Sequence, residues 1–325
     1  MDQNLILGLG APAVDFIIKT DSQELKKLPG EIGGMVLVGY NELQELKKLS
    51  TVNPHISLGG CSLNKLKGLS RLGQSCRFAG KVGQDEETKW VDQGLHLYGI
   101  EGHLAVSKTP TAQVACLIDE YGHRTFRTYA GASIEFQSSD LNPSLFDGAS
   151  VVVIEGYLLA NGDLVIEAVK QAKKAQAKVV FDLACLEYCH QYKREIATIL
   201  DLGVDLLFAN SHEAKAILDA NPYEACNKLR SHVGVSIVTM GEEGCWVGDR
   251  EECLFVPAKT VRAPVDTTGA GDLFASGFIH GYLKGNSLEQ CATMGAIVAH
   301  EVVNISGTDI PESGWNRIRS YLLMD

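Results

Sequence analysis

Residues 266–272 read DTTGAGD and stand directly ahead of an apolar helical pattern, LFASGFIHGYL. The start of a helix offers free backbone N–H groups and the positive end of the helix dipole. Gly269 and Gly271 carry no side chain, so another molecule could approach the backbone closely there. These features predict an anion site formed by the amides of Gly269, Ala270 and Gly271.

Asp272 closes this motif and is the candidate for acid–base chemistry. If the anion is the terminal phosphate of a nucleotide, Asp272 lies within reach of the attacking group, and phosphoryl transfer needs one carboxylate to accept a hydroxyl proton. We expect Asp272 to be ionised at neutral pH, because the helix dipole and free N–H groups favour its charged form. An acid that only neutralises a helix start would not explain the glycines or the paired Thr267 and Thr268.

Several other nucleotide-binding motifs are excluded. The chain contains neither GxxxxGK[ST] nor an HRD…DFG set, so it is neither a P-loop protein nor a protein kinase. Residues 8–13, GLGAPA, nearly match the dinucleotide fingerprint, which requires a helix directly afterwards. Pro12 and the strand-like run VDFIIKT follow instead, which argues against a nicotinamide-dependent dehydrogenase.

Two polar positions in the first quarter of the chain could hold a small ligand. Asp15 follows the buried strand pattern NLILGLG, where it would face the carboxyl edge of a sheet, although a turn-capping Asp explains it as well. Gly59 and Gly60 precede a helix whose first turn carries Asn64, a side chain with both a donor and an acceptor. Gly-Gly followed by Ser62 is also compatible with an ordinary loop and N-cap.

Two further motifs follow predicted strands in the second half. Asn210 ends the strand pattern DLLFAN, and Glu213 lies in the first turn of the next helix, where an acid could bind a hydrated Mg²⁺ or simply interact with the helix dipole. Thr239, Gly241 and Gly244 form a glycine-rich βα or hairpin turn after VSIV. This turn is a candidate nucleotide loop if the other motifs supply the rest of the site.

Composition limits the classes of protein and partner. At 325 residues the chain can bury a large core, and its net charge of −11 argues against a nucleic-acid or anionic membrane partner. Nine cysteines without a CxxC pair suit reduced thiols. No basic leader region or apolar run of membrane-spanning length is present, so we expect a cytoplasmic protein.

The order of predicted elements indicates an α/β protein. From about residue 150, apolar strand patterns alternate with helical patterns, which predicts a parallel sheet covered by helices on both faces. Half-exposed strand patterns interrupt the first half and predict a small inserted β-layer: FIIKT, MVLVGY, AQVACLI and RTFRTYAG. The uncovered edge of this layer is a candidate contact for a homodimer.

DTTGAGD-LFASGF, the upstream GG…N, GKVGQD, N-x-x-E and T-x-G-x-x-G, in this chain order, resemble the ribokinase-like or PfkB family of carbohydrate kinases. The resemblance covers nearly the whole chain, and stretches such as GAPAVDFI and IEGYLL are similar to bacterial adenosine or sugar kinases. It implies one doubly wound, mainly parallel α/β domain over 1–325, with a β-sheet lid inserted at about 16–56 and 104–130. It also implies ATP and Mg²⁺ as co-substrates and transfer to a primary hydroxyl.

Position by position, the resemblance makes Asp272 the catalytic base and residues 269–271 the anion hole for the γ-phosphate. It implies ATP and magnesium contacts at Asn210, Glu213, Thr239, Gly241, Gly244 and Thr267. It implies contacts with the acceptor at Asp15, Gly59, Gly60, Asn64 and Glu155, the last at the end of the strand pattern before GYL. Asp266 and Thr268 fall where many members bind a monovalent cation such as K⁺, with carbonyls from the loop around 304–307.

The chain departs from the family pattern at Cys61, Lys65 and Thr88, where small residues, a small or hydroxyl residue, and glycine are usual. We expect these changes to lie near the sugar side of the cleft and not to touch the transfer chemistry. Selectivity rests on lid contacts, so ribose, another pentose, a hexose and adenosine all remain open as substrates. A catalytically silent member of the family that senses a sugar or nucleotide is the alternative function.

Overall fold

The structure is a computed structural model that describes residues 5–28, 34–50, 55–120, 124–261 and 263–322. Its strands, in chain order, are β1 Leu5–Leu9, β2 Ala13–Lys19, β3 Met35–Leu37, β4 His55–Gly59, β5 Ser75–Val82, β6 Ile100–Val106, β7 Ala112–Ile118, β8 Arg124–Tyr129, β9 Ala149–Glu155, β10 Lys178–Asp182, β11 Leu206–Asn210, β12 Val235–Thr239, β13 Gly244–Gly248 and β14 Cys253–Pro257.

The α-helices are α1 Ser22–Lys27, α2 Tyr40–Lys47, α3 Cys61–Arg71, α4 Glu86–Leu97, α5 Leu164–Lys174, α6 Leu186–Gln191, α7 Lys193–Asp201, α8 Ser211–Leu218, α9 Pro222–Leu229, α10 Ala270–Leu283, α11 Leu288–Val302 and α12 Glu312–Leu322. Short 3₁₀ turns lie between several of these elements. Within the described ranges, none of the helices is both long and apolar enough to span a membrane.

Nine strands form the large sheet, in the order β14-β13-β12-β11-β10-β9-β1-β5-β6. Its strands pair in parallel from β12 to β6, and β13 and β14 extend it by antiparallel pairing. Successive residues of the central strands face opposite sides: Val153 and Val180 join one buried cluster, whereas Val152 and Val179 join another. Both faces of the sheet are therefore covered, which explains the continuous apolar runs and confirms the predicted doubly wound architecture.

The second sheet has five strands in the order β3-β8-β7-β2-β4. The chain passes from β1 into β2 through residues 10–12 without an intervening helix, which confirms that the near-fingerprint GLGAPA does not open a dinucleotide fold. Strand β3 is shorter than the pattern MVLVGY suggests, because Tyr40 already begins α2.

The bounds of this small sheet differ from the inserted segments predicted at 16–56 and 104–130. Its first segment begins at Ala13 and ends at Gly59. Residues 104–106 belong to β6 at the edge of the large sheet, so the second segment begins with β7. The parts of the two predicted segments at 29–33, 51–54 and 121–123 lie outside the described residues.

Helices α3 and α10 pack against each other at close range. A Cβ added to Gly68 would lie 2.6 Å from the Cβ of Ser276 and 3.0 Å from Leu273, so glycine is required for this approach. The Ser276 hydroxyl donates to the Lys65 carbonyl at 3.0 Å and joins the two helices. This contact sets the first turn of α3 beside the first turn of α10.

Candidate active site

Parallel strands bring their carboxyl ends to one edge of the large sheet. Glu155 ends β9 and pairs in register with Asp182 at the end of β10. Asn210 ends β11 and pairs with Thr239 at the end of β12. Polar side chains that are far apart in the sequence therefore meet along one line, in the usual location of a ligand site in an open α/β sheet.

Asp272 lies in the first turn of α10, with its side chain 11% exposed. Its Oδ1 contacts the Lys65 ammonium at 2.5 Å, and its Oδ2 accepts a hydrogen bond from Asn64 Nδ2 at 3.0 Å. Burial raises the pKa of Asp272 above its usual value, and the Asp182 carboxylate adds to this, while Lys65 and Asn64 oppose it. The sequence reasoning neglected this desolvation, which opposes the effect of the helix start; that Asp272 is ionised at neutral pH stays a prediction.

Lys65 is completely buried and shared between two acids. Its ammonium lies 2.7 Å from Asp182 Oδ2 and 2.5 Å from Asp272 Oδ1, and also donates to the Cys61 carbonyl at 3.4 Å. Burial alone would lower the pKa of Lys65, but the two carboxylates reverse that effect and raise it well above its usual value. The expectation that this departure would not touch the transfer chemistry is wrong for Lys65, because the side chain binds the candidate base directly.

Asn64 binds protein groups on both sides of its amide. Its Nδ2 donates to Asp272, and its Oδ1 accepts from the Thr308 hydroxyl at 3.2 Å. Thr308 in turn accepts a hydrogen bond from the buried Lys67 ammonium at 2.8 Å. The side chain predicted to bind acceptor hydroxyls is thus placed between the candidate base and the loop after α11.

Gly60 and Gly269 occupy backbone conformations that favour glycine, with φ of 107° and 70°. A Cβ on Gly269 would lie 2.5 Å from Thr308 Cγ2, and one on Gly60 would lie 2.5 Å from the Ala11 carbonyl oxygen. Gly269 is the N-cap of α10. It therefore leads directly into the first-turn amides that are predicted to form the anion hole.

Asp15 lies within β2 of the small sheet, and not at the end of a strand of the large sheet as its sequence position suggested. Its carboxylate packs against Gly59. A Cβ added to Gly59 would lie only 2.6 Å from the carboxyl carbon of Asp15. Burial raises the pKa of Asp15 to about 7, with Lys67 opposing and Asp309 and Asp272 adding to the effect. Asp15 faces a small cavity of about 10 Å³ between the small sheet and the segments at 266–268 and 307–308, whose lining residues are Asp15, Ile17, Ser57, Cys116, Phe126, Asp266, Thr268, Gly307 and Thr308.

The Glu155 carboxylate accepts hydrogen bonds from the backbone of two separate segments. Its Oε1 accepts from the Ala11 amide at 2.8 Å and its Oε2 from the Ser62 amide at 2.7 Å. The side chain is buried, and burial raises its pKa to about 7. Both oxygens therefore hold the turn after β1 and the start of α3, and the contact of Glu155 with an acceptor stays a prediction.

Asp266 ties the DTTGAGD turn to the loop that follows α11. Its Oδ1 accepts from the Thr268 amide at 2.7 Å and its Oδ2 from the Gly307 amide at 2.6 Å, and it is only 2% exposed. The two segments predicted to share a monovalent cation, around 266–268 and 304–307, thus lie together. Whether they bind a cation stays a prediction.

A larger pocket of about 330 Å³ lies on the other side of the same turn. Thr239, Gly241 and Gly244 line it from the β12–β13 hairpin, and Thr267, Ala270 and Gly271 line it from the start of α10. The opposite wall consists of apolar and small side chains, with one histidine: Val256, Phe274, Ala292, Ala296, Ala299, His300 and Val303. The two glycine motifs identified separately in the sequence therefore border one pocket, with the volume and apolar lining of a small-molecule site.

Asn210 and Glu213 form a reciprocal capping box at the start of α8. Glu213 Oε2 accepts from the Asn210 amide at 2.8 Å, and Glu213 Oε1 accepts from Asn210 Nδ2 at 2.7 Å. Burial and the nearby Asp182 carboxylate raise the pKa of Glu213 to about 8. The N-x-x-E spacing thus has a structural explanation of the kind that the sequence left open.

A hydrated magnesium ion nevertheless fits this donor set. Within the described ranges, no three His, Cys, Asp or Glu side chains are arranged to hold a metal ion among themselves. Mg²⁺ keeps several waters and needs few protein oxygens. A cation beside Glu213 and Asp182 would relieve the mutual repulsion that raises the pKa of Glu213.

The sequence did not identify Asp182 or the network around Lys67. Asp182 ends the strand pattern KVVFD, the same signal that singled out Asp15, so it could have been found. Asp309 accepts from the Lys67 ammonium at 2.5 Å, from Tyr98 at 2.8 Å and from Ser57 at 3.0 Å. No short-range pattern indicates this second ion pair, in which Lys67 is buried and Asp309 is exposed.

Thr88 has a local structural role. Its hydroxyl donates to the Gly83 carbonyl at 2.7 Å and lies 3.0 Å from the Thr111 hydroxyl, while Asp85 accepts from the Thr111 amide at 2.6 Å. The departure from glycine at this position therefore fastens the start of α4 to the strand that enters the small sheet.

The described residues thus form an α/β fold in which two cavities flank one glycine-rich turn. Residues 34–314 match the model of the pfkB family of carbohydrate kinases, so the chain belongs to that family. It is 26% identical over 301 residues to a nucleoside kinase of Methanocaldococcus jannaschii, covering 89% of this chain and 96% of that protein.

Two solved structures superpose on nearly the whole of this chain. A probable sugar kinase protein from Rhizobium etli superposes with a TM-score of 0.91 at 27% identity, and the adenosine kinase from Sinorhizobium meliloti with a TM-score of 0.89 at 28% identity. Each comparison covers 99% of this chain and 100% of the other. The predicted ribokinase-like fold and family are thus confirmed.

Proposed function

We propose that this protein is an ATP-dependent kinase that transfers the γ-phosphate to a primary hydroxyl of a sugar or ribonucleoside. One observation carries the proposal: the turn at 266–271 borders both cavities, and Asp272 follows it directly in the first turn of α10. Asp266 and Thr268 line the small cavity, whereas Thr267, Ala270 and Gly271 line the large pocket. A donor and an acceptor bound on opposite sides of this turn would meet at Asp272.

The chemistry follows from the placement of these groups. Asp272 accepts the proton of the acceptor hydroxyl as its oxygen attacks the γ-phosphorus in line, and the bond to the ADP oxygen breaks. The amides of residues 269–271 stabilise the charge on the transferring group. Glu213 and Asn210 would hold the waters of a magnesium ion, which when bound neutralises phosphate charge.

The acceptor class rests on the polar lining of the small cavity and on the relatives. Asp15, Ser57 and Thr308 supply carboxylate and hydroxyl groups that can bind hydroxyls, and because the cavity measures only about 10 Å³, a sugar ring would require the small sheet to move outward. The similar proteins include kinases named for sugars and for nucleosides. The small sheet would act as a lid that excludes water, so that ATP is not simply hydrolysed.

The test is ADP release with Mg-ATP over a panel of ribose, other pentoses, hexoses, adenosine and other ribonucleosides, for the wild-type protein and Asp272→Asn. We expect acceptor-dependent turnover that falls on the order of 10²-fold or more in the variant, as for loss of a positioned base. Acceptor binding without ADP release from any acceptor would instead identify a silent sensor. Near-wild-type turnover in Asp272→Asn would refute the assignment of the base.

A further inference from the structure

One buried ammonium contacts two carboxylates from different elements of the second half of the chain. Lys65 lies in the first turns of α3, Asp182 at the end of β10 and Asp272 at the start of α10. All three side chains are buried or nearly so, with exposures of 0%, 13% and 11%. Asp272 is the group on which the proposed function depends, and Lys65 stands where the family usually has a small or hydroxyl residue.

We propose that Lys65 is a positioning residue that fixes the Asp272 carboxylate and keeps it anionic, with Asp182 as the counter-acid that sets the strength of this effect. The proposal rests on the proposed function for its consequence in catalysis. The opposite effects of Lys65 and Asp182 on the ionisation of Asp272 can be measured in the protein without turnover.

The position of Asp272 is fixed through both of its oxygens. Lys65 binds Oδ1 and Asn64 binds Oδ2, and these two donors are adjacent residues of one helix. The same helix is held against α10 by the Gly68–Ser276 approach. A carboxylate has about four acceptor sites, so two remain for an incoming hydroxyl.

The groups around Asp272 are mostly acidic, and their negative charges disfavour its ionised form. The titratable groups that face it are Asp15 from β2, Cys61 and Lys65 from α3, Glu155 from β9, Tyr157 after β9, Asp182 from β10 and Glu213 from α8. Among these groups of the described residues, Lys65 alone is a cation. A protonated Asp272 could not accept a proton from the acceptor, so loss of the lysine would disable the base even if the fold persisted.

Asp182 must act in the opposite direction. Its negative charge repels the charge on Asp272 and competes for the same ammonium. Removal of the Asp182 charge therefore leaves Lys65 wholly available to Asp272 and favours ionisation. Loss of a partner from an ion pair remote from Asp272 would change the stability of the fold without shifting the midpoint of Asp272.

The experiment is a pH titration of carboxyl carbons in the metal-free, full-length protein labelled with ¹³C at aspartate Cγ, with the Asp272 signal assigned by its absence in Asp272→Asn. Lys65→Met should raise the midpoint of Asp272 by about one pH unit or more, the usual effect of an opposite charge at this distance. Asp182→Asn should lower it. Lys81→Met, which removes the 2.9 Å ion pair with Asp140 away from this cluster, should leave it unchanged.

Midpoints that do not move, or that move in the same direction in Lys65→Met and Asp182→Asn, would overturn the proposal. If Lys65→Met does not fold, Asp182→Asn decides alone, because it leaves a balanced buried pair. Once an acceptor is identified, the pH dependence of kcat can be measured in the same variants. The midpoint of its acid limb should rise in Lys65→Met and fall in Asp182→Asn. Opposite shifts by NMR in a protein without turnover would uphold the role of Lys65 and reject the proposed function, so the two failures are distinguishable.

Discussion

We expect Gly68→Ala to lower the free energy of unfolding and to have a larger effect on kcat. Alanine is the better helix former by about 0.5–1 kcal/mol, so propensity alone predicts stabilisation. The added Cβ, however, would lie 2.6 Å from Ser276 Cβ and 3.0 Å from Leu273 Cδ1, and overpacking of this kind costs about 1–3 kcal/mol. The expected net loss in free energy of unfolding is about 1–2 kcal/mol.

The effect on turnover should exceed this loss because the strain falls beside the site. Gly68 lies one helical turn after Asn64 and Lys65, the two residues that hold the Asp272 carboxylate. A displacement near 1 Å of positioning groups can cost about 10²-fold in rate. We therefore expect a large fall in kcat for the variant at temperatures where it remains folded.

Urea denaturation and steady-state ADP release measure the two effects. Gly39→Ala is the matched control, because a Cβ there has no atom within 4 Å. Ser276→Gly, introduced into Gly68→Ala, removes the nearest obstructing atoms and should restore part of the rate despite the helix penalty of glycine, about 1 kcal/mol. A Gly68→Ala protein as stable and as active as wild type would refute the inference that this helix contact aligns the site.

Two further predictions concern ligand binding. Glu213→Gln should raise the Mg²⁺ concentration needed for half-maximal rate, because a neutral amide attracts a hydrated cation less; an unchanged dependence would leave only the capping role. Asp15→Asn should weaken acceptor binding several-fold in calorimetry while ATP-analogue affinity stays nearly intact, whereas equal losses would indicate a folding defect. Because the pKa of Asp15 is about 7 and its anion is the better acceptor, wild-type affinity should increase as the pH rises through 7 and the variant should lose this dependence.

The local motifs of the site could be read from the sequence because each is a turn followed by one element. DTTGAGD and T-x-G-x-x-G both carry glycines that a turn and a close ligand require, and both border the pocket where they were expected. Their meeting follows from the rule that parallel strands end at one edge of a sheet. The capping box at Asn210 shows the limit of this reasoning, since one spacing satisfies both a helix cap and a metal site.

The contacts of Lys65 could not be predicted in the same way. A lysine in a helical pattern is usually solvated. Here α3 is buried on nearly all sides, and the partners of the ammonium follow in sequence by more than a hundred residues. The upward shift in the pKa of Asp272 could not be predicted for the same reason, because desolvation depends on tertiary packing that the helix start does not reveal.

The two hydrogen bonds of Glu155 have a mechanical consequence. Ala11 lies where the chain leaves the large sheet for the small one, and Ser62 lies in the first turn of α3, so a single carboxylate fastens both segments. A displacement of the small sheet at β2 would therefore be transmitted through Glu155 to the helix that carries Asn64 and Lys65. If an acceptor binds under the small sheet as proposed, these two hydrogen bonds would link its binding to the alignment of Asp272.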